Sequence, residues 1–426
     1  MIPQAAGRSV EQLLFLAFGI TCVLWLGASI FVLLNRMLYD RTGGRLRMLA
    51  RRMTTDEVLR LAPDERLAAV RGILVRLSRR EVYRVTADTE LPAWLTALCA
   101  TYSLDRWGLA QIVRDAASHR RGRKWRRIAA LFTLGELRTE GVHELLEQAV
   151  RDPDPDVAGA AVTVLRRLED RRAAGILITA LREESYPPSR IATQLDQFAI
   201  PIDDLLLPLL ADPRPNARYW GASLLGHYPG FLGVAERVAA LEKDEYPGAR
   251  KTAVTTLARM DVVIALPVAI RLLADPVPYV RAAAIRTVAA RGAQAHEESV
   301  RRDLAARLTP ALADRDWDVR FAAKESLEHL GPGVWREVAE ALESADAFAR
   351  NGAAEVLQNT GVLDRVIAEM GTDTPPDALA MRVLERALNE GGAGMVDAAV
   401  ARRPAGVPPA LVALLERLRF TGPVLA

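Results

Sequence analysis

The chain is poor in the residues that carry most chemistry. It has two cysteines, Cys22 and Cys99, in 426 residues. That excludes a disulfide-stapled scaffold and a cysteine-rich zinc protein. Its five histidines stand singly, at 119, 143, 227, 296 and 329. His143-Glu144-Leu145-Leu146-Glu147 carries Glu where a metal-binding HExxH helix needs its second His. No phosphate-loop motif occurs, and Gly391-Gly392-Ala393-Gly394 follows a helical pattern, not a strand, so it is no dinucleotide fingerprint. Catalytic, metal and cofactor residues are therefore assigned to none of the chain. Aromatics are scarce at 6%, and 24 Pro and 28 Gly are too few for collagen-like or low-complexity sequence. Half of the residues are hydrophobic, too many for a disordered chain.

What is present begins with a charge asymmetry. The net charge of +3 hides a +11 over residues 1–127, which carry 22 basic and 11 acidic residues. The other 34 basic and 42 acidic residues give −8. Between Glu11 and Arg36 there is no charge at all. Leu13 to Leu34 is an unbroken apolar run that, at about 1.5 Å per residue, spans roughly 33 Å, enough for a hydrocarbon core of about 30 Å. A cleaved signal peptide fits less well, since Arg8 is offset by Glu11 and the run is too long. The reading is a single transmembrane helix. Arg36, Arg41, Arg45, Arg47, Arg51 and Arg52 follow it with only Asp40 against them. They are expected to face anionic lipid. By the positive-inside rule they place the N-terminus outside and residues 36–426 in the cytoplasm, at an inner or plasma membrane.

The remainder repeats itself. Asp212-Pro213-Arg214-Pro215-Asn216-Ala217-Arg218 recurs in phase as Asp275-Pro276-Val277-Pro278-Tyr279-Val280-Arg281 and as Asp152-Pro153-Asp154-Pro155-Asp156-Val157-Ala158. Weaker copies run Asp244 to Arg250, Asp314 to Arg320 and Ser344 to Arg350. Anchored on the last position, the copies stand at 127, 158, 190, 218, 250, 281, 320 and 350, a period near 32 that suits a two-helix solenoid repeat. Three residues after each anchor stand Ala130, Ala161, Thr193, Gly221, Ala253, Ala284, Ala323 and Ala353. Seven residues after stand Leu134, Leu165, Gln197, Leu225, Leu257, Val288, Leu327 and Leu357. Such positions share one helix face, small residues permitting close approach and aliphatic ones filling the layer between repeats. The second Pro of the turn suits the first helical position, and the nearby Asp can cap the helix.

This pattern resembles the HEAT family, in particular its short bacterial repeats, over about residues 120–360. It extends less clearly to Arg382 and a closing helix at Ala410–Leu418. In that family the Asp and the Arg six residues later form a ladder between repeats. The resemblance implies that role for Asp212 and Arg218, Asp244 and Arg250, Asp275 and Arg281, and Asp314 and Arg320. Two turns depart, with Ala158 in place of the Arg and Ser344 in place of the Asp. The repeat at 190 is either a groove lined by Gln194, Asp196 and Gln197 or a one-residue slip that uses Ile191, Leu195 and Phe198. The 39 residues between Arg281 and Arg320 hold either a longer helix around His296–Arg307 or a projecting loop.

Residues 36–100 read as a basic juxtamembrane helical segment. Gly43-Gly44 suggests a hinge, and Thr54 with Glu57 has capping-box spacing. A helix from Asp64 would bury Leu67, Val70, Leu74 and Leu77. A second basic cluster, Arg120, Arg121, Arg123, Lys124, Trp125 and Arg126, is a candidate partner-binding patch; a solvated face, lipid and nucleic acid are its other readings. The expectation is an all-α chain: a tail and transmembrane helix at 1–35, the basic segment at 36–100, and an α-solenoid at 101–426. Its expected role is a membrane-anchored scaffold binding protein partners, without cofactor. Resemblance to bacterial membrane-anchored HEAT-repeat proteins implies a membrane enzyme such as a glycosyltransferase as partner. Nucleic acid is disfavoured by the net acidic repeats. The rival readings are a HEAT-fold enzyme or lyase, and a membrane-tethered nucleic-acid binder. The two His-Glu pairs, His143-Glu144 and His296-Glu297, are too few for the di-iron site of the deoxyhypusine hydroxylases that share the fold.

Overall fold

A computed structural model describes residues 48, 51–61, 63–88, 90–118, 124–228, 233–372, 376–401 and 407–418. Among them there are helices and no strand. The chain divides into two compact units, residues 1–180 and 181–426.

Among the described residues the first unit includes, before its repeat pairs, α1 (Asp56–Arg60), α2 (Pro63–Leu74), α3 (Arg79–Thr86), α4 (Ala93–Trp107) and α5 (Leu109–Ala116). Their core holds Met53, Val70, Leu74, Leu77, Val82, Val85, Leu95, Cys99 and Tyr102. Val70, Leu74 and Leu77 are thus buried as their spacing predicts, although the helix begins at Pro63 and ends before Leu77. Trp107 meets the rings of Tyr83 and Tyr102 edge to face, at 5.8 and 6.1 Å. Cys99 is fully buried and packs as a small hydrophobe, and that burial pushes its thiol up to about 12. The cap of α1 is Thr55, whose side chain accepts from Val58 N, and not Thr54. The capping box lies at α3, where Glu81 accepts from both the backbone N–H and the hydroxyl of Ser78, at 2.9 and 2.8 Å.

Repeat pairs follow: α6 (Lys124–Leu137) with α7 (Val142–Val150), then α8 (Pro155–Leu168) with α9 (Arg171–Glu183). The second unit continues with α10 (Pro188–Leu195), α11 (Asp203–Leu206), α12 (Pro215–Leu225), α13 (Val234–Ala239), α14 (Pro247–Met260) and α15 (Val262–Leu272). After these come α16 (Pro278–Gln294), α17 (Glu298–Leu308), α18 (Trp317–Leu330), α19 (Trp335–Ala339), α20 (Ala347–Asn359) and α21 (Val362–Glu369). The last two are α22 (Ala378–Ala401), kinked at Gly392, and α23 (Pro409–Arg417).

The helix pairs are built as the spacing requires. Pro155, Pro215, Pro247 and Pro278 each open a first helix, where the missing N–H costs no hydrogen bond. Ala130, Ala161, Ala253, Ala284, Ala323 and Ala353 are buried, and so are the aliphatic residues four positions further on. At Gly221 even a methyl group is excluded, because an added Cβ would lie 2.7 Å from Leu209 Cβ. Several second helices of the second unit tighten into a 3₁₀ turn before the next loop, at Leu207–Ala211, Ala240–Lys243, Thr309–Ala313 and Glu340–Glu343.

The repeat at 190 is a register slip. Ile191, Ala192, Leu195 and Phe198 are buried, whereas Thr193 and Gln197 face out. The longer repeat between Arg281 and Arg320 has no projecting loop. Its extra residues lengthen α16 to 17 residues, against 14 in α14, and add a short link before α17 and the 3₁₀ turn Thr309–Ala313 after it.

The expected single-pass membrane location is corrected here. No helix among the described residues is long and apolar enough to cross a membrane. Described helices carry charges at short intervals, and even the longest, α22, includes Arg382, Glu385, Arg386, Glu390 and Asp397. The stretch Leu13–Leu34, with its expected bilayer contact, and the Gly43-Gly44 hinge lie outside the described residues.

Candidate functional site

The turn that opens each first helix brings an acid and an arginine together. In the second unit, Asp212, Asp244, Asp275 and Asp314 each accept the backbone N–H two residues on, at 2.8–2.9 Å. This closes an Asx turn and fixes the carboxylate. The arginine six residues after the acid folds back over the same turn. Arg218, Arg250, Arg281 and Arg320 donate from Nη1 to the carbonyls of Asp212, Asp244, Asp275 and Asp314, at 2.8–2.9 Å. Arg350 does the same to Ser344, at 3.0 Å. Each guanidinium is therefore held in one orientation by its own turn.

The remaining edge, Nε and Nη2, reaches the next turn. Arg218 grips the Asp244 carboxylate at 2.6 and 2.8 Å, Arg250 grips Asp275 at 2.6 and 2.9 Å, and Arg281 grips Asp314 at 2.8 and 2.7 Å. These are two-pronged charge-assisted pairs, shielded from water on most sides. The ladder implied by the resemblance therefore joins neighbouring repeats at these three rungs, each Arg closing on the carboxylate of the following turn while Nη1 holds the carbonyl of its own. Burial alone would raise the Asp244, Asp275 and Asp314 carboxyls. The guanidinium bonds and the backbone N–H outweigh it and hold all three below the usual carboxylate range. In the first unit Arg127 makes a like pair with Asp152, and Ala158 supplies no rung.

The ladder changes at Ser344. Its hydroxyl takes over the turn, accepting from Asp346 N at 3.1 Å, but it offers no carboxylate to Arg320. Asp346 caps α20 instead, accepting from Ala349 N at 2.9 Å. Arg320 lays its guanidinium on the Phe348 ring, 4.3 Å from the centre. Its Nε and Nη2 have no hydrogen-bond acceptor among the described residues. One turn later Arg350 closes again, on Glu390 at 2.6 Å.

Around Arg320 the surface becomes aromatic. Trp317, Phe321 and Phe348 are 63%, 41% and 63% exposed. Trp317 and Phe321 stack at 5.2 Å, and Lys324 Nζ lies 5.9 Å from the Phe321 ring. With Leu312, Asn351, Gly352 and Glu355 they line an open cavity of about 320 Å³ between α18 and α20. Glu355 is neutralised there by Lys324 and also accepts from Asn351 at 3.2 Å.

Arg120, Arg121 and Arg123 of the candidate basic patch lie outside the described residues, as do Arg36, Arg41, Arg45 and Arg47. Arg51 and Arg52 are exposed. Lys124 pairs with Asp156 at 2.6 Å and with Asp154 at 3.6 Å, and the Asp156 hydrogen bond raises its pKa. Trp125 is exposed beside it, and Arg126 is half-buried. His143 binds Asp170 at 2.9 Å while Glu144 pairs with Arg172, and His296 and Glu297 are both exposed. Among the described residues no group of three or more His, Cys, Asp or Glu could hold a metal.

The aromatic cavity is the feature that reading along the chain misses. Its signals were Ser344 in place of Asp and four of 24 aromatics, Trp335 among them, within one repeat length.

None of the curated proteins matches this sequence significantly. Among solved structures, the chain is similar to an engineered protein, with 14% identity over 81% of this chain and 98% of that one, at a TM-score of 0.36. It is also similar to the karyopherin Kap121p bound to the SUMO protease Ulp1p, with 12% identity over 87% of this chain and 47% of that one, at a TM-score of 0.47. A chain of the Kap95:Nup1 complex gives 12% identity over 87% and 53%, at a TM-score of 0.43. The chain spans about half the length of the latter two. The family model for HEAT repeats matches residues 114–195 and 202–289.

Proposed function

We propose that this chain is a protein-binding scaffold, and that a docking surface is centred on Trp317, Phe321 and Phe348. The observation that supports it is their exposure beside an open cavity, in a chain whose repeat layers are filled by Ala, Val and Leu. None of the three side chains is needed to fill a layer, since Ala323, Leu327, Ala353 and Leu357 do that beneath them. Exposed aromatics cost solubility unless covered, and Trp and Tyr dominate the energetics of protein interfaces. Beneath them, α18 and α20 pack through buried layers and are capped by Asp316 and Asp346.

The test is affinity capture with the full chain and with a Trp317→Ala/Phe348→Ala variant, matched for thermal stability. A partner held by the wild type should be lost by the variant. Equal capture of every partner by both would overturn this surface.

A further inference from the structure

The Arg320 turn is a ladder rung without its acid, and we infer that a partner's Asp or Glu side chain completes it. This rests on the docking surface proposed above and names the chemistry that the surface recognises.

The other rungs serve as internal templates. Arg218, Arg250 and Arg281 each present the Nε–Nη2 edge to a carboxylate at 2.6–2.9 Å. Arg320 is oriented by the same pair of carbonyl contacts, Nη1 to Asp314 O at 2.8 Å and to Arg315 O at 3.1 Å. Its fork is therefore preorganised for a planar, two-pronged anion, and in the three template rungs that anion is a carboxylate. Phe348 covers one face of the guanidinium, 4.3 Å from its ring centre, which leaves the in-plane donors to other partners.

The acids nearby are engaged elsewhere. Asp314 closes the preceding rung on Arg281. Asp316 and Asp346 cap α18 and α20. Glu355 is held by Lys324 and Asn351. The Nε–Nη2 edge of Arg320 thus has no carboxylate of its own among the described residues, in the lining of an aromatic cavity. The occupant that matches both features is an extended segment of a protein partner, with Asp or Glu next to a large apolar residue. The carboxylate takes the fork, and the apolar side chain lies against Trp317 and Phe321. No nearby rung competes, because Arg350 has already closed on Glu390.

The probe is a displayed library of random linear peptides, selected on the full-length protein and counter-selected on the Trp317→Ala/Phe348→Ala variant. Peptides that need the aromatics should carry Asp or Glu beside an apolar residue. Exchanging that acid for its amide should weaken binding about tenfold, the worth of a charge-assisted pair at a half-exposed site. Ser344→Asp, which supplies the missing acid from within the chain, should weaken the acidic peptide by a similar factor. It should leave the amide peptide unchanged. Arg320→Gln should do the same without adding a charge.

Peptides that need Trp317 and Phe348 but bind equally as acid or amide would overturn this inference and leave the docking surface standing. Unchanged binding of the acidic peptide to both Ser344→Asp and Arg320→Gln would overturn it in the same way. A library with no peptide that needs the aromatics would overturn both.

Discussion

Within one unit, the same turn appears in two forms. At Arg218, Arg250 and Arg281 the guanidinium is closed on an acid of the next turn. At Arg320 the turn, the carbonyl contacts and the helix behind it are alike, yet the acid is replaced by Ser344. The difference is one carboxylate, and it separates two roles. A closed rung ties neighbouring repeats together and hides its charge. The open rung keeps its orientation, but its Nε–Nη2 edge meets no carboxylate, and its guanidinium lies over Phe348 beside the exposed Trp317 and Phe321. A repeat protein can thus make a site by leaving out one architectural residue, with no change of fold.

The comparison can be sharpened by substitution, beginning with the layer that both forms share. Leu257 lies beneath a closed rung and Leu327 beneath the open one, and both are fully buried. Leu257→Ala and Leu327→Ala should each cost about 3 kcal/mol, measured by urea unfolding, because each leaves a cavity in a packed layer. Unequal losses would mean that the rung, and not the layer, sets local stability.

Asp275→Ala breaks a closed rung. It orphans Arg250 and the Val277 N–H together, and about 2–3 kcal/mol should be lost. Ser344→Asp performs the opposite change, and closing the open rung should add about 1 kcal/mol near neutral pH.

The pH dependence follows from the sign of the shifts. Asp244, Asp275 and Asp314 have folded pKa values below their unfolded ones. Their stabilisation is fully present above the ordinary carboxylate range and is lost as pH falls through the lower folded values. The gain from Ser344→Asp should therefore fade in acid, whereas Trp317→Ala should show no such dependence. A urea midpoint followed against pH for both variants checks this. The smallest effect is expected for Trp317→Ala itself, within about 0.5 kcal/mol of wild type, since an exposed side chain contributes to binding and not to the layer.

Much of this fold was legible along the chain, for particular reasons. The small and aliphatic positions after each anchor recur on one helix face, so burial at Ala253 and Leu257 could be read directly from spacing. The slip at Ile191, Leu195 and Phe198 was visible as a second helical stripe. Other features depend on three-dimensional contacts that spacing does not encode. Glu390 closes the Arg350 rung from forty residues away. Whether Trp317 and Phe348 pack inward or face out depends on which side of the helix the layer occupies. Local capping was ambiguous because Thr54 and Thr55 are adjacent and either could start a helix. Ser344 was visible as a departure from the ladder, but its consequence required knowing that each Arg reaches the acid of the next turn.

The account turns on whether Arg320 is a rung without its acid. The direct measurement is urea unfolding of Arg281→Gln and Arg320→Gln side by side. Both variants lose the same contacts to their own turn, and only Arg281→Gln leaves a shielded carboxylate without its partner. The prediction is that Arg281→Gln loses about 2 kcal/mol more than Arg320→Gln. Equal losses would contradict it, since they would mean that Arg320 is already held by an acid of its own chain.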